Sequence, residues 1–251
     1  MRIKVPRDQI LEVWGDLACF SRPEFKVERF SYPVITPSAA RGIFDAIYSK
    51  PNKDPTRAQF RWAITRIEIL NLPKYIALRR NEVKDKASIR SEWISGKARP
   101  EPIWADGSRD LLGTDDKGRT QRQTMALKDV RYRLSAHIRP WPGFENALPG
   151  LEAQFRRRAS KGKCFFQPYF GCREFPAYFE LVDGEENQQN RVLDLNLDLG
   201  LMLYDVFDLS RPGGTEDAPS ISLFHAIIRE GVLEVPDYAS PEVLKPAGGK
   251  S

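Results

Sequence analysis

Eleven consecutive residues, KDVRYRLSAHI from Lys128 to Ile138, alternate so regularly that an extended strand is the natural reading. Side chains on a strand point to opposite faces in turn. Lys128, Val130, Tyr132, Leu134, Ala136 and Ile138 therefore share one face, while Asp129, Arg131, Arg133, Ser135 and His137 share the other. An apolar face has to be covered, which calls for a sheet with a second layer laid against it. Lys128 opens that apolar face instead of joining the arginines. Its residue type leaves two readings: it snorkels out from the sheet edge, or it points into a cleft where desolvation strengthens its interaction with a phosphate.

The covering layer is legible upstream. TPSAARGIFDAIYSKP offers Thr36 as N-cap, Pro37 at the first helical position, Ala40, Ile43, Phe44, Ile47 and Tyr48 at helical spacing, and Pro51 as the stop. Tyr48 ends the apolar face, where a tyrosine ordinarily keeps its ring in the core and its hydroxyl in water. ILEVWGDLAC (Ile10–Cys19) reads as a strand in which Gly15 marks a bulge or a close backbone approach, and FRWAITRIEIL (Phe60–Leu70) reads as another strand. From Arg79 to Gln123 the composition turns polar, predicting an inserted excursion of short helix and loop. After Pro149, GLEAQFRRRASKGK predicts a short helix with a basic face, and GCREFPAYFELV a glycine-bearing loop feeding a strand.

Strand, helix, strand, insertion, strand, helix, strand is the order of a βαββαβ unit. The expected class is therefore α+β, with a ferredoxin-like domain over residues 1–183 interrupted by a polar insertion at about 79–123. Residues 184–251 are expected to form a β-rich C-terminal extension with a frayed tail, because RVLDLNLDLGLMLYDVFD alternates and FHAIIREGVLEVP carries a Glu-Gly turn between two apolar runs.

Composition narrows the function classes. With 41% hydrophobic residues in 251, the chain has the apolar content for a sizeable core. No apolar run approaches membrane-spanning length, and the start MRIKVPRDQILEVWGD has charges where a signal peptide is apolar, so a cytoplasmic protein is expected. Three cysteines and two histidines, scattered, predict free thiols and no metal site. There is no phosphate-cradling glycine loop, nucleophile elbow or HExxH, so no cofactor is expected. The net charge of +5 is unevenly spread: Arg119–Lys163 holds 11 Lys and Arg against 3 Asp and Glu, a balance of +8, whereas Asp183–Asp217 holds 2 against 9, a balance of −7. The basic half is a candidate surface for a polyanion.

Four blocks then point to a family. FSRPEFKVERFSYPVITPSAARGIFDAIYSKP (Phe20–Pro51), QRQTMALKDVRYRL (Gln121–Leu134), GCREFPAYF (Gly171–Phe179) and DLGLMLYDVFD (Asp198–Asp208) resemble, in the same order, the signature blocks of the fifth family of CRISPR-associated (Cas) proteins. The form they resemble is that of type I-C systems, a RAMP-superfamily endoribonuclease that processes repeat RNA.

The resemblance implies an RRM-type domain that binds the stem-loop of CRISPR repeat RNA. It implies metal-independent cleavage at the 3′ base of the stem, and retention of the mature crRNA by its 5′ tag in an effector complex with the type I-C large and backbone subunits. It carries the catalytic roles onto Tyr48 and Lys128, with Asp129 standing where the family has a histidine. Without an imidazole, Lys128 is expected to stabilise charge on the phosphorane and Tyr48 to act as base if a close cation lowers its pKa. His137 lies about 30 Å along the strand from Lys128 and cannot substitute. Asp129 is expected to orient an arginine. Arg41, Arg122, Arg131, Arg133, Arg156, Arg157, Arg158, Lys161, Lys163 and Arg173 are the candidate RNA-binding residues, Arg173 for the tag. The alternative is a non-catalytic scaffold that caps the 5′ tag, and duplex DNA is a further candidate partner for the basic surface.

Overall fold

The computed structural model describes residues 6–25, 28–50, 59–83, 90–99, 119–183, 191–213 and 217–246. In chain order the elements are β1 (Gln9–Ala18), β2 (Arg29–Phe30), α1 (Pro37–Ile47), β3 (Phe60–Ile69), β4 (Lys74–Val83), α2 (Ser91–Ile94) and β5 (Arg119–Pro140). There follow α3 (Leu148–Ala159), β6 (Tyr178–Leu181), β7 (Leu197–Asp205), β8 (Ser222–Arg229), β9 (Val232–Glu234) and β10 (Val243–Leu244). The fold is mixed, with a mostly antiparallel sheet of ten strands among the described residues and few helices.

β5 is the spine. Its second half pairs with β1 from Leu127 to Ala136 and with β3 from Tyr132 to Pro140, while its first half pairs with β4 from Arg119 to Lys128 and with β2, in parallel, at Thr124 and Met125. β3 and β4 therefore run one after the other along β5. Where one gives way to the other, Asp129 adopts φ 55°, the amides of Leu70 and Asn71 both donate to the Arg131 carbonyl, and the Asn71 side-chain amide donates to the Asp129 carbonyl. Aspartate is among the few non-glycine residues that tolerate this left-handed geometry. The 79–123 segment differs from the helix-and-loop expectation at both ends, because Arg79–Val83 and Arg119–Gln123 extend the β4–β5 ladder. Residues 84–89 and 100–118 of that expected insertion lie outside the described residues.

The central strand order is β3–β5–β1–β6, with all three contacts antiparallel, and α1 and α3 intervene in the chain between β1 and β3 and between β5 and β6. α1 starts as its residues require, the Thr36 hydroxyl accepting from the Ala39 amide at 3.2 Å with Pro37 in the first turn. Phe44, Trp62 and Phe155 meet at centroid distances of 4.6–5.6 Å and tie both helices to β3. Gly15 does mark a close approach: a Cβ there would sit 2.8 Å from the Pro176 carbonyl oxygen and 2.9 Å from the Phe170 ring. The C-terminal strands continue the sheet, β9 pairing with β3, and the β8–β9 turn is the Glu230-Gly231 pair, both at positive φ.

One ion cluster fastens β7 to α1. Arg41 donates from Nε and Nη2 to both oxygens of Asp205, at 2.8 and 3.1 Å, and from Nη1 to Asp45 at 2.7 Å. Asp205 is 1% exposed. Removing one member of such a cluster leaves a buried charge without its partner. We expect Arg41→Met to lower unfolding stability by about 3–5 kcal/mol in chemical denaturation, and Asp205→Asn added to it to recover part of that loss.

Candidate nucleic-acid interface

Two concavities adjoin. The larger, a groove of about 850 Å³, runs between the start of α1, the 166–173 loop and the segment after β7. Phe166, Tyr169 and Phe207 line it and are 75%, 40% and 46% exposed, so aromatic faces stand open to solvent. Arg173 also lines it, exposed and with no ion pair among the described residues. The loop that carries Arg173 is fixed by Gly171, at φ 77°, where a Cβ would fall 2.0 Å from the Cys19 carbonyl oxygen. Arg41 lines the groove as well but is spent on Asp205 and Asp45, so its expected part in holding RNA gives way to fastening the fold.

The second concavity, a cleft of about 650 Å³, is lined by Tyr48, Lys50, Asn146, Gly150, Gln154 and Phe165 among others. Its wall and the groove's are made of the same stretches of chain. The amides of Phe165 and Phe166 both donate to the Ala46 carbonyl, at 2.7 and 3.2 Å, and Ala46, Ser49 and Phe166 line the groove while Tyr48, Lys50 and Phe165 line the cleft. Tyr48 is 3% exposed, its ring 5.5 Å from Phe60 and 6.4 Å from Phe165. Burial pushes its hydroxyl above the usual tyrosine pKa, and the nearby Arg158 offsets this in part. Tyr48 is thus held in its protonated form at neutral pH, which suits a hydrogen-bond donor and not the base expected from the sequence.

Lys128 is elsewhere. It is exposed, opposite Leu17 on β1 and Lys74 on β4, so it snorkels at the sheet surface next to a second lysine. Tyr48 packs on Phe60, whose register partner is Pro140, twelve positions along β5 from Lys128. That is on the order of 35–40 Å of strand, so the pairing of Tyr48 with Lys128 expected from the sequence is not formed. Parity predicted the face but says nothing about position along it. Among the described residues, the cations beside Tyr48 are Lys50, exposed on the cleft wall, and Arg158, which donates to the Ile47 carbonyl at 2.9 Å and lies 3.9 Å from the Phe165 ring centroid.

The remaining arginines divide by partner. Arg133 is 4% exposed and sits in register between Glu12 of β1 and Glu68 of β3, donating to Glu68 at 2.7 Å. Arg131 donates to Glu12 at 2.6 Å and covers the Trp14 ring at 4.9 Å. Both face away from the apolar side as expected, but their charges are neutralised within the sheet instead of offered to phosphates. Asp129 takes no part, and among the described residues no arginine pairs with it. On α3, Arg156 pairs with Asp183 and Gln9, and Arg157 bonds Gln154 and is exposed. Lys161 and Lys163 are exposed in the turn that follows, and Arg122 is exposed on β5 opposite Arg80. The expected five-residue cluster therefore reduces to Arg157, Lys161 and Lys163. His137 faces Asp8 at 3.3 Å and lines neither concavity. Lys50 and the exposed aromatics went unremarked in the sequence; the only signal was the Phe165-Phe166 pair in a polar stretch.

The Cas5d family model, described as CRISPR-associated protein (Cas_Cas5), matches residues 10–236. A Thermus thermophilus protein named CRISPR pre-crRNA endoribonuclease Cas5d is 41% identical over 247 residues, covering 94% of each chain. One of the same name from Mannheimia succiniciproducens is 39% identical over 241 residues, covering 94% of this chain and 97% of its own. Two crystal structures share the fold at 20% identity, each covered in full and covering 97% of this chain: a CRISPR-associated protein, with a TM-score of 0.61, and the functionally uncharacterized SMU1763c of Streptococcus mutans, with a TM-score of 0.59. With a match that spans nearly the whole chain, this protein belongs to the Cas5d family of CRISPR-associated proteins.

Proposed function

We propose that this chain is a pre-crRNA endoribonuclease that holds single-stranded repeat RNA in the aromatic groove and cuts it in the adjoining Tyr48 cleft. The observation that carries the reading is the shared wall: Phe166 faces the groove, Phe165 faces the cleft, and both hang from the Ala46 carbonyl. A strand leaving the groove over Phe166 would pass next to Phe165 and the cleft it lines. Relatives 41% and 39% identical bear the corresponding name. The same reading treats residues 1–183 as a ferredoxin-like RNA-handling unit, supported by the β3–β5–β1–β6 order, and 184–251 as its strand extension. After the cut, the 5′ tag stays in the groove, where the type I-C large and backbone subunits would meet it in the cytoplasm. Exposed Arg157, Lys161 and Lys163 suit the phosphates of the repeat stem, and of duplex DNA less specifically.

The chemistry follows from the groups at hand. The ribose 2′-oxygen attacks its own 3′ phosphate, the bond to the 5′-oxygen breaks, and the products are a 2′,3′-cyclic phosphate and a 5′-hydroxyl. The cleft must hold the two oxygens in line and stabilise the added charge on the phosphorane. Lys50 supplies positive charge, and Tyr48, kept protonated by burial, donates a hydrogen bond to a phosphorane oxygen. No imidazole is needed, and water exchanges the protons. The rate of such a site is modest, which suits an enzyme that keeps its product.

Cleavage of cognate repeat RNA is expected in EDTA, and a copy with a 2′-deoxy sugar at the cut site should bind without being cut. Binding of both without cleavage of either would make the chain a scaffold. In single-turnover assays Tyr48→Phe and Lys50→Ala should each slow cleavage by about 10²–10³ with affinity nearly unchanged, whereas Lys128→Ala should stay within about threefold of the parent. A large loss at Lys128 with none at Lys50 would move the active site out of this cleft.

The groove has its own test. Gly171→Ala forces the loop away from Cys19, and Arg173→Gln removes its charge, so both should weaken RNA binding by about tenfold or more in filter binding. Phe166→Ala should cost about 1–3 kcal/mol of binding if a base stacks there. Unchanged affinity in all three would show that the RNA runs elsewhere.

A further inference from the structure

On the other side of the Arg41–Asp205 cluster lies a third concavity, of about 320 Å³, lined by Arg61, Arg139, Trp141, Ser210, Tyr238 and Lys245 among others. Three cations converge here. Arg139 is paired with both oxygens of Asp237, and the Lys245 ammonium hangs 4.4 Å over the Tyr238 ring. Arg61 is the anomaly. Its guanidinium lies 5.9 Å from the Trp141 ring centroid, and its Nη1 is buried without a hydrogen-bond partner among the described residues. Burial, and then the repulsion of Arg139, hold its pKa below the usual arginine value, with Tyr204 and Asp237 offsetting only part. A half-buried guanidinium with one enclosed, unused donor, facing two more cations and one carboxylate, is costly to the free protein and fits one class of occupant, an anion with several acceptor oxygens.

The place of the cleft says which anion. Phe207 lines the RNA groove and Ser210 lines this cleft, three residues apart and so within about 10 Å along the chain. Between them, Arg41 lines both the groove and the small pocket that holds Arg61, where Asp205 joins it. We propose that Arg61 and Lys245 bind a backbone phosphate of the RNA strand that occupies the groove. This rests on the RNA reading of the groove, but not on cleavage.

The test uses repeat RNA made uncleavable by the 2′-deoxy sugar, in EDTA, with anisotropy followed against salt concentration, so an inactive nuclease leaves it standing. Arg61→Met should raise the protein's thermal midpoint, since an unpaired buried charge is gone, while weakening RNA binding about tenfold and flattening the slope of log K against log salt by about 1. Lys245→Gln should flatten the slope similarly with the midpoint unchanged. Arg229→Gln, exposed at the far end of β8, is the charge-matched control and should do neither. Wild-type affinity and slope in Arg61→Met, or an equal loss in Arg229→Gln, overturns the proposal. So does a midpoint of the parent protein that rises with inorganic phosphate while RNA affinity ignores Arg61, which assigns the cleft to a free anion.

Discussion

A 22-residue strand is longer than any one neighbour, and this architecture is organised by how β5 shares its edges. Along one edge β3 and β4 follow each other, and the sheet can change neighbour only where the backbone of β5 yields. It yields at Asp129, whose left-handed conformation lets the loop at Leu70 and Asn71 bond back to Arg131 and Asp129. The residue that looked like a vacancy in the chemistry thus has a backbone reason to be there. The same break interrupts the apolar face: Val130 and its even-numbered successors to Ile138 are buried, Lys128 just before the break is exposed, and Leu127 and Ala126 are buried again beyond it.

Parity made much of this fold legible. The strand faces, the capped helix and the Glu-Gly hairpin all follow from local periodicity and turn chemistry, which act over a few residues. Register is set by contacts between distant segments, and there the reading ran out. Nothing near Arg133 in the chain announces that Glu12 and Glu68 flank it, since those partners lie more than 60 residues away and meet it only across β1 and β3. Equal parity also made Lys128 look like a neighbour for Tyr48, when β5 holds their surroundings near opposite ends. Tyr48 itself was legible as a helix-end residue at a cleft, but its true cationic neighbours, Lys50 and Arg158, were not.

The uneven charge of the sequence is resolved by the same pairing. Much of the acid in the C-terminal part is consumed internally: Asp205 on Arg41, Asp198 on His225, and Asp208 on Ser210 and Tyr238. The strand arginines are consumed by Glu12 and Glu68. Among the described residues, the cations left open at the rims include Arg173 at the groove, Lys50 at the cleft, and Lys161 and Lys163 in the turn leading to Phe165. A field built from rim charges around low-dielectric walls is focused into the concavities, while Lys74 and Lys128 remain exposed on the sheet. Binding strength then depends on a few exposed residues that are not needed to hold the fold.

That separation bears on how a groove of this kind would read RNA. Aromatic faces accept any base, and rim cations accept any phosphate, so neither supplies sequence preference. Preference must come from groups with fixed geometry, and the fixed element here is the 166–173 loop, pinned at one end to Ala46 and at the other by Gly171 against Cys19. Its rigidity sets the distance between the aromatic at the cleft and the arginine in the groove. A fold that neutralises its strand charges internally leaves that loop to fix the spacing between Phe165 at the cleft and Arg173 in the groove.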